Sequence, residues 1–302
     1  MRIVPKPALD GIFVPNVTPF TRQGNLDVEA LRTCVRFWVE NEVSGLIPCG
    51  SNGEAPYLSR EERSKVTSIV LEEVNGRIPV IPGTGSLSTQ ETISLTRDAE
   101  NLGADAALIV TPFYYELTNS EIMAHYRTVL DSVSIPIVLY NVPKFTGFSL
   151  DPRIIDQLAR ENEQVAGVKD SSGKIETMTE IIRLVGSRIS VLAGAADITL
   201  SSFSIGSKGA VLAVANVFPA TCKRLYDAFR NNRLDEAKRL QERIILANDL
   251  LVKKYNQLSA IKEALNTTGL PAGYPRRPAL ALEGEEKMAV REFVKTMNES
   301  DR

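Results

Sequence analysis

Histidine is almost absent from this sequence, with one copy in 302 residues, and the three cysteines are Cys34, Cys49 and Cys222. A zinc site usually draws on several His or Cys ligands, and neither an HExxH nor a CxxC spacing occurs. A Ser-His-Asp relay would have to use His125 as its base. That residue sits inside EIMAHYRTVL, which has helical periodicity, and it reads as a helix residue at the surface or at a subunit contact. The cysteines lie far apart without paired spacing, which fits a reducing compartment. No apolar run approaches the roughly 20 residues needed to span a bilayer. The opening MRIVPKPALDG lacks the apolar core and small-residue cleavage site of a signal peptide. Neither sign of charge dominates, with 35 basic against 37 acidic residues, so no nucleic-acid partner is implied. No GxGxxG follows the first apolar run and no GxxxxGKS/T occurs, which leaves nucleotide binding without a motif. The expectation is a soluble cytoplasmic protein whose chemistry needs no metal and no histidine.

Present instead are eight short apolar runs. They begin near residues 11, 44, 78, 106, 135, 165, 189 and 209, and most end in Gly, Pro, Asn or Asp. Such runs read as strands closed by loops. Amphipathic segments separate them; Val66, Ile69, Val70 and Val74 fall on one helical face. Ser59 with Glu62, Ser88 with Glu91, and Thr118 with Glu121 have the spacing of capping boxes. Asp151-Pro152 marks another helix start. Strand and helix alternating eight times predict a (β/α)8 barrel, a TIM barrel. A doubly wound open sheet is the competing arrangement. Residues 1–218 would form the barrel core. Residues 219–302 would hold its last helix and a C-terminal helical extension within the same structural unit.

In a barrel the chemistry gathers at the C-terminal ends of the strands. There the sequence places GSNGEAP (50–56), TPFYY (111–115), YNVP (140–143), KDSSG (169–173) and Ala193-Gly194. Lys169 ends the run VAGVK, although lysine is seldom buried. Strand alternation puts Val165, Gly167 and Lys169 on one face and Ala166 and Val168 on the other. If Ala166 and Val168 meet the helices, Lys169 points inward, with Gly167 leaving space beside it and Tyr140 projecting from the neighbouring strand. Burial disfavours the charged form of an amine, and a neutral lysine attacks a carbonyl to form a Schiff base. An ion pair with Asp170 is the plainer reading. The glycines around Ser51 and Asn52 allow a turn that could hold a carboxylate, or one in which both side chains only satisfy backbone groups. Tyr114 and Tyr115 serve equally as interface aromatics, Cys49 as a small packing residue, and Arg276-Arg277 as a solvated loop.

Together these motifs, with YNVPxxTG at 140–147, GVKDSSG at 167–173 and AGAAD at 193–197, resemble the N-acetylneuraminate lyase and dihydrodipicolinate synthase family of class I aldolases. The resemblance covers nearly the whole chain. It implies a TIM barrel, often assembled as a homotetramer (a dimer of dimers), acting on a 2-oxo acid without a cofactor. It implies that Lys169 forms the imine, that Tyr140, Tyr114 and Ser51 relay protons, and that a neighbouring subunit supplies the Tyr114. Ser51 and Asn52 would hold the substrate carboxylate, and Ser171, Gly194 and Val211 would line the pyruvyl site. One departure concerns the second x of YNVPxxTG. Dihydrodipicolinate synthases carry there an arginine that binds the aspartate-semialdehyde carboxylate; this chain has Phe145, preceded by Lys144. GSNGE, the STQ at 88–90 and LQxR at 240–243 look closer to the 4-hydroxy-2-oxoglutarate aldolase and 2-keto-3-deoxy sugar-acid lyase branch. The expected activity is cleavage of a 4-hydroxy-2-oxo acid to pyruvate and an aldehyde. The alternatives are dihydrodipicolinate (4-hydroxy-tetrahydrodipicolinate) synthase, a 2-keto-3-deoxy acid dehydratase, or a non-catalytic 2-oxo-acid-binding regulator.

Overall fold

A computed structural model describes residues 6–299. Seven of the eight apolar runs form strands: β1 Gly11–Val14, β2 Gly45–Leu46, β3 Ala107–Val110, β4 Ile137–Asn141, β5 Val165–Asp170, β6 Ser190–Ala193 and β7 Gly209–Val211. They make one parallel sheet in the order β2-β1-β7-β6-β5-β4-β3. The run from residue 78 is not a regular strand. It lies between the two edges of that sheet through parallel bridges Leu46–Val80 and Gly83–Leu108. The N–H groups of Leu46 and Leu108 donate to the carbonyls of Pro79 and Pro82. Two prolines without N–H groups interrupt the ladder, yet their carbonyls still bind both neighbours. The ring closes, and the fold is the (β/α)8 barrel, not the open sheet.

Helix starts follow the sequence chemistry. Ser59 and Thr118 form reciprocal capping boxes with Glu62 and Glu121. Ser88 accepts from the Glu91 N–H without the return bond. Asp151 caps a helix whose first residue is Pro152. Val66, Ile69, Val70 and Val74 are buried on the core side of the helix Arg60–Val74. After β7 the chain continues as helices Pro219–Arg230, Leu234–Asn248, Gln257–Thr267 and Gly284–Glu299, with a π-helical turn at Asp249–Lys254. The outer ends of the two ranges expected from the sequence, residues 1–5 and 300–302, lie outside the described residues. No helix among the described residues is long and apolar enough to cross a membrane.

Alternation sorts the strand residues into two apolar groups. Val138 and Tyr140 join Phe13, Ile81, Leu108 and Leu192 inside the barrel, while Ile137, Leu139, Val165 and Val168 pack outward against the helices. Ala166 and Val165 depart from the expected pattern, since Ala166 lies inside and Val165 outside. The register explains it: Ile137 pairs with Val165 but Val138 pairs with Gly167, a bulge that gives β5 one extra residue and breaks the period of two. Gly167 does not make room beside the lysine either. A Cβ there would come within 2.9 Å of Leu9 Cδ1 and the Ser190 carbonyl, so the glycine admits Leu9 into the barrel interior.

Two further expectations change. His125 is buried, not at the surface; its Nδ1 lies 2.9 Å from Thr89 Oγ1, and burial pushes the imidazole down to about 4. Arg276 is not a solvated loop residue. Its guanidinium binds both oxygens of Glu62 at 2.7 Å, donates to the carbonyls of Gly24 and Tyr57, and lies 4.1 Å from the Phe20 ring centroid.

Candidate active site

Adjacent parallel strands set the centre of the site. β4 and β5 pair Tyr140 with Lys169 and Asn141 with Asp170. After the bulge the period of two resumes, so Tyr140 and Lys169 point into the barrel together. Lys169 is only 5% exposed, and its Nζ sits 4.0 Å from the Tyr140 ring centroid. Asp170 faces away from this pair. Its carboxylate accepts hydrogen bonds from Asn141 Nδ2 and Ser172 Oγ, each at 2.6 Å. Burial raises its pKa while those bonds oppose the rise. The ion pair between Lys169 and Asp170 therefore does not form.

The Tyr140 phenol is pulled in both directions. Burial pushes its pKa up. The charge of Lys169, with hydrogen bonding from Ser171, Lys169 and Ser51, more than reverses this and leaves it below the ordinary phenol value. A phenol so placed can lose and regain a proton beside the lysine. Gly194 is needed for the crowding: a Cβ would run into Ser171 Oγ and come within 3.1 Å of Lys169 Cε. Ser51, Asn52, Lys169, Ser171, Gly194 and Val211 all line one cavity of about 200 Å³, which also includes Tyr140. A larger chamber of about 550 Å³ lies beside it and shares Ser51, Tyr140, Lys144, Phe145, Lys253 and Gln257. The smaller cavity holds the reactive groups; the larger offers room for the rest of a ligand.

The GSNGE turn is built differently from its glycine pattern. Gly50 has ordinary space around it, and the left-handed residues are Cys49 (φ 54°) and Glu54 (φ 57°). The N–H groups of Glu54 and Ala55 close the turn onto the carbonyls of Ser51 and Gly50. Those two N–H groups are therefore taken up within the turn. Asn52 is buried, and its Oδ1 accepts from Gln257 Nε2. Cys49 is buried beside Arg63 and Thr67; desolvation pushes its thiol pKa up to about 11, while the Arg63 charge and the Thr67 hydrogen bond pull the other way.

Tyr114 is not brought into this cluster within one chain. It is 81% exposed, stacks edge-to-face with Tyr115 at 5.0 Å, and lines neither chamber. Conversely, the sequence reading missed two residues of the helix Gln257–Thr267. Gln257 reaches Asn52, and Lys262, fully buried, donates to Glu54 and to the Tyr274 carbonyl. Desolvation pushes Lys262 down to about 8 against the pull of Glu54. The available signal was Lys262 on the same helical face as Leu258 and Leu265, a cation in an apolar stripe. Among the described residues, no group of three or more His, Cys, Asp or Glu could hold a metal ion.

Comparison with known proteins identifies the family. A model of the Dihydrodipicolinate synthetase family matches residues 8–297. A 4-hydroxy-tetrahydrodipicolinate synthase of Pelobacter propionicus is 39% identical over 272 residues, covering 90% of this chain and 93% of its own. Another, from Methanococcus maripaludis, is 33% identical over 289 residues, covering 96% and 99%. Among solved structures, the dihydrodipicolinate synthase from Aquifex aeolicus superposes with a TM-score of 0.92 at 32% identity, over 96% of this chain and 98% of that one. A prophage protein of E. coli K12, of the dihydrodipicolinic acid synthase family and solved in complex with pyruvate, gives 0.92 at 27% identity, over 96% and 99%.

Proposed function

This chain belongs to the dihydrodipicolinate synthetase family, lyases that use a lysine Schiff base with pyruvate and no metal, and from that we propose that Lys169 carries the imine of a pyruvate-releasing 4-hydroxy-2-oxo acid aldolase. The observation that carries the reading is the sheltered Lys169 amine packed against Tyr140 in the smaller cavity at the barrel mouth.

On this reading the reaction begins at the Lys169 amine. Lys169 Nζ adds to the C2 carbonyl, and loss of water leaves a protonated imine. Tyr140 removes the proton of the C4 hydroxyl. The C3–C4 bond breaks, its electron pair moves toward the imine nitrogen to give an enamine, and the aldehyde departs. Protonation at C3 and addition of water then release pyruvate and restore the amine. Ser51 and Ser171, beside the phenol, pass its proton onward and position the substrate carboxylate together with Asn52. Gly194 and Val211 shape the pyruvyl end. Tyr114 enters the relay from a second copy, within a homotetramer arranged as a dimer of dimers, and the enzyme works in the cytoplasm.

A second reading has its own support. The names of the curated relatives favour 4-hydroxy-tetrahydrodipicolinate synthase over the aldolase. The mouth favours the aldolase. Phe145, half-exposed, lines both chambers where a synthase is expected to carry its arginine, and a phenyl ring cannot make a bidentate contact with a carboxylate. Dehydration of a 2-keto-3-deoxy acid would start from the same imine and expel water instead of an aldehyde.

Borohydride added with pyruvate should leave a reduced adduct on Lys169, absent in Lys169→Ala, which should also lose turnover. A Lys169→Ala variant of normal activity would sink the imine mechanism. Offering 4-hydroxy-2-oxoglutarate, 2-keto-3-deoxy acids, and pyruvate with aspartate semialdehyde, and following products by mass, decides between the readings. Fast condensation with aspartate semialdehyde would establish the synthase instead.

A further inference from the structure

Charge around the two chambers is unevenly matched. Two carboxylates line them, Glu54 and Asp197, and both are already engaged. Glu54 is held by Lys262 and the Arg276 N–H. Asp197 accepts from Asn248 Nδ2 at 2.8 Å and from Lys253 Nζ at 2.7 Å. The lining cations are Lys169, Lys253, Lys144 and Arg63. Lys253 is opposed by Asp197 and Asp249, and Lys169 is reserved for the imine.

Lys144 stands apart at the mouth. Its Nζ meets only the neutral Gln257 Oε1, at a long 3.4 Å, and lies 5.4 Å from the Phe145 ring centroid. No carboxylate pairs with it among the described residues. Gln257 in turn donates its amide to Asn52. A polar row therefore runs from the GSNGE turn, through Gln257, to an ammonium without a counter-ion. Lys144 is exposed and Phe145 half-exposed beside it, so the ammonium faces the open mouth of the chambers.

We propose that Lys144 selects substrates whose aldehyde half ends in a carboxylate, so that the natural ligand is a 2-oxo dicarboxylate rather than a polyhydroxy acid with a neutral end. This rests on the lyase reading: with C2 fixed on Lys169 and the C1 carboxylate near Ser51, the far end of the ligand is what reaches the mouth. A carboxylate there replaces the weak amide contact of Lys144 with an ion pair. The aldehyde glyoxylate, released from 4-hydroxy-2-oxoglutarate, has that carboxylate. Arg63 is the rival cation, since its Nη1 is buried without a partner while Nη2 donates to the Ala55 carbonyl.

Steady-state kinetics of Lys144→Gln tests the inference, with 4-hydroxy-2-oxoglutarate and 2-keto-3-deoxygluconate as the two probes. The expected result is a KM for the dicarboxylate raised about tenfold, the loss of one charge-assisted contact, with kcat nearly unchanged. KM for the neutral-ended acid stays put, and Lys144→Arg restores the dicarboxylate. Added salt should raise KM for the dicarboxylate in the wild type and lose that effect in Lys144→Gln. Equal effects on both probes, or a selective rise with Arg63→Gln and none with Lys144→Gln, would overturn it. Borohydride trapping of pyruvate separates the failures. If the wild type traps no pyruvate, the lyase reading itself falls. If wild type and Lys144→Gln both trap it but KM does not discriminate, only the role of Lys144 falls.

Discussion

Tyr140 shows how much a single side chain owes to its neighbours. Buried alone, its phenol would ionise only well above the usual value of about 10. Lys169, Ser171 and Ser51 reverse that shift. With the ionised phenol as the proposed base, activity should rise with pH through its pKa, and a lowered pKa brings that rise below about pH 10. The pH profile of kcat checks this. Tyr140→Phe should remove the limb and cost about 10²–10⁴-fold in kcat, the usual worth of a positioned acid–base group. Ser51→Ala removes a hydrogen bond that lowers the pKa, so the limb should move to higher pH. An unchanged profile in Tyr140→Phe would exclude the phenol as base. At this scale the sequence was informative wherever period two held: it put Tyr140 and Lys169 side by side and turned Ile137 and Leu139 outward, as the structure has them. It failed at Ala166, where a bulge changed the face, and at His125, whose burial depends on which helices pack over it.

At the scale of elements, local chemistry was legible and long-range contact was not. Ser59, Thr118 and Asp151-Pro152 announce helix starts because each bond is made within a few residues. The run from residue 78 carries its own exception in Pro79 and Pro82, whose missing N–H groups turn a strand into two bridges. The helix Gln257–Thr267 gave only a cation in an apolar stripe and no hint of its partner, although it pins the GSNGE turn twice, by Gln257 to Asn52 and by Lys262 to Glu54. These contacts span about 200 residues of chain. The Lys262–Glu54 pair is fully buried, so deleting one partner strands a charge. Lys262→Met should lower the unfolding free energy by about 3–5 kcal/mol. The double variant Lys262→Met with Glu54→Gln should lose less, because no charge is left unpaired. Denaturant titration of the three proteins measures both; a single variant as stable as the wild type would refute the account.

For the whole molecule, the exposed Tyr114 is the informative feature. At 81% exposure and outside both chambers, it can join the relay only if a second copy delivers it. That demand makes a prediction about assembly. Lys169→Ala and Tyr114→Phe should each be nearly inactive alone. Mixed and allowed to exchange subunits, they should recover about a quarter of wild-type activity, because half the isologous pairs are mixed and each mixed pair holds one complete site. Activity assays on the mixture, with the oligomeric state followed by sedimentation, check it. No recovery despite demonstrated exchange, or a fully active monomer, would place the relay within one chain.

The sequence by itself determined the barrel, the strand that carries Lys169 and the residues at its mouth. Those follow from periodicity, from proline and glycine punctuation and from motifs whose parts lie close in the chain. Only the tertiary structure decided that Asp170 turns to Asn141 and Ser172 instead of to the lysine, that Arg276 clamps Glu62, and that Lys144 faces the cavity mouth without a counter-ion. The physical reason is common to all three. A charged side chain settles with whichever partner the fold brings within about 3–4 Å, and chain spacing does not encode that neighbour.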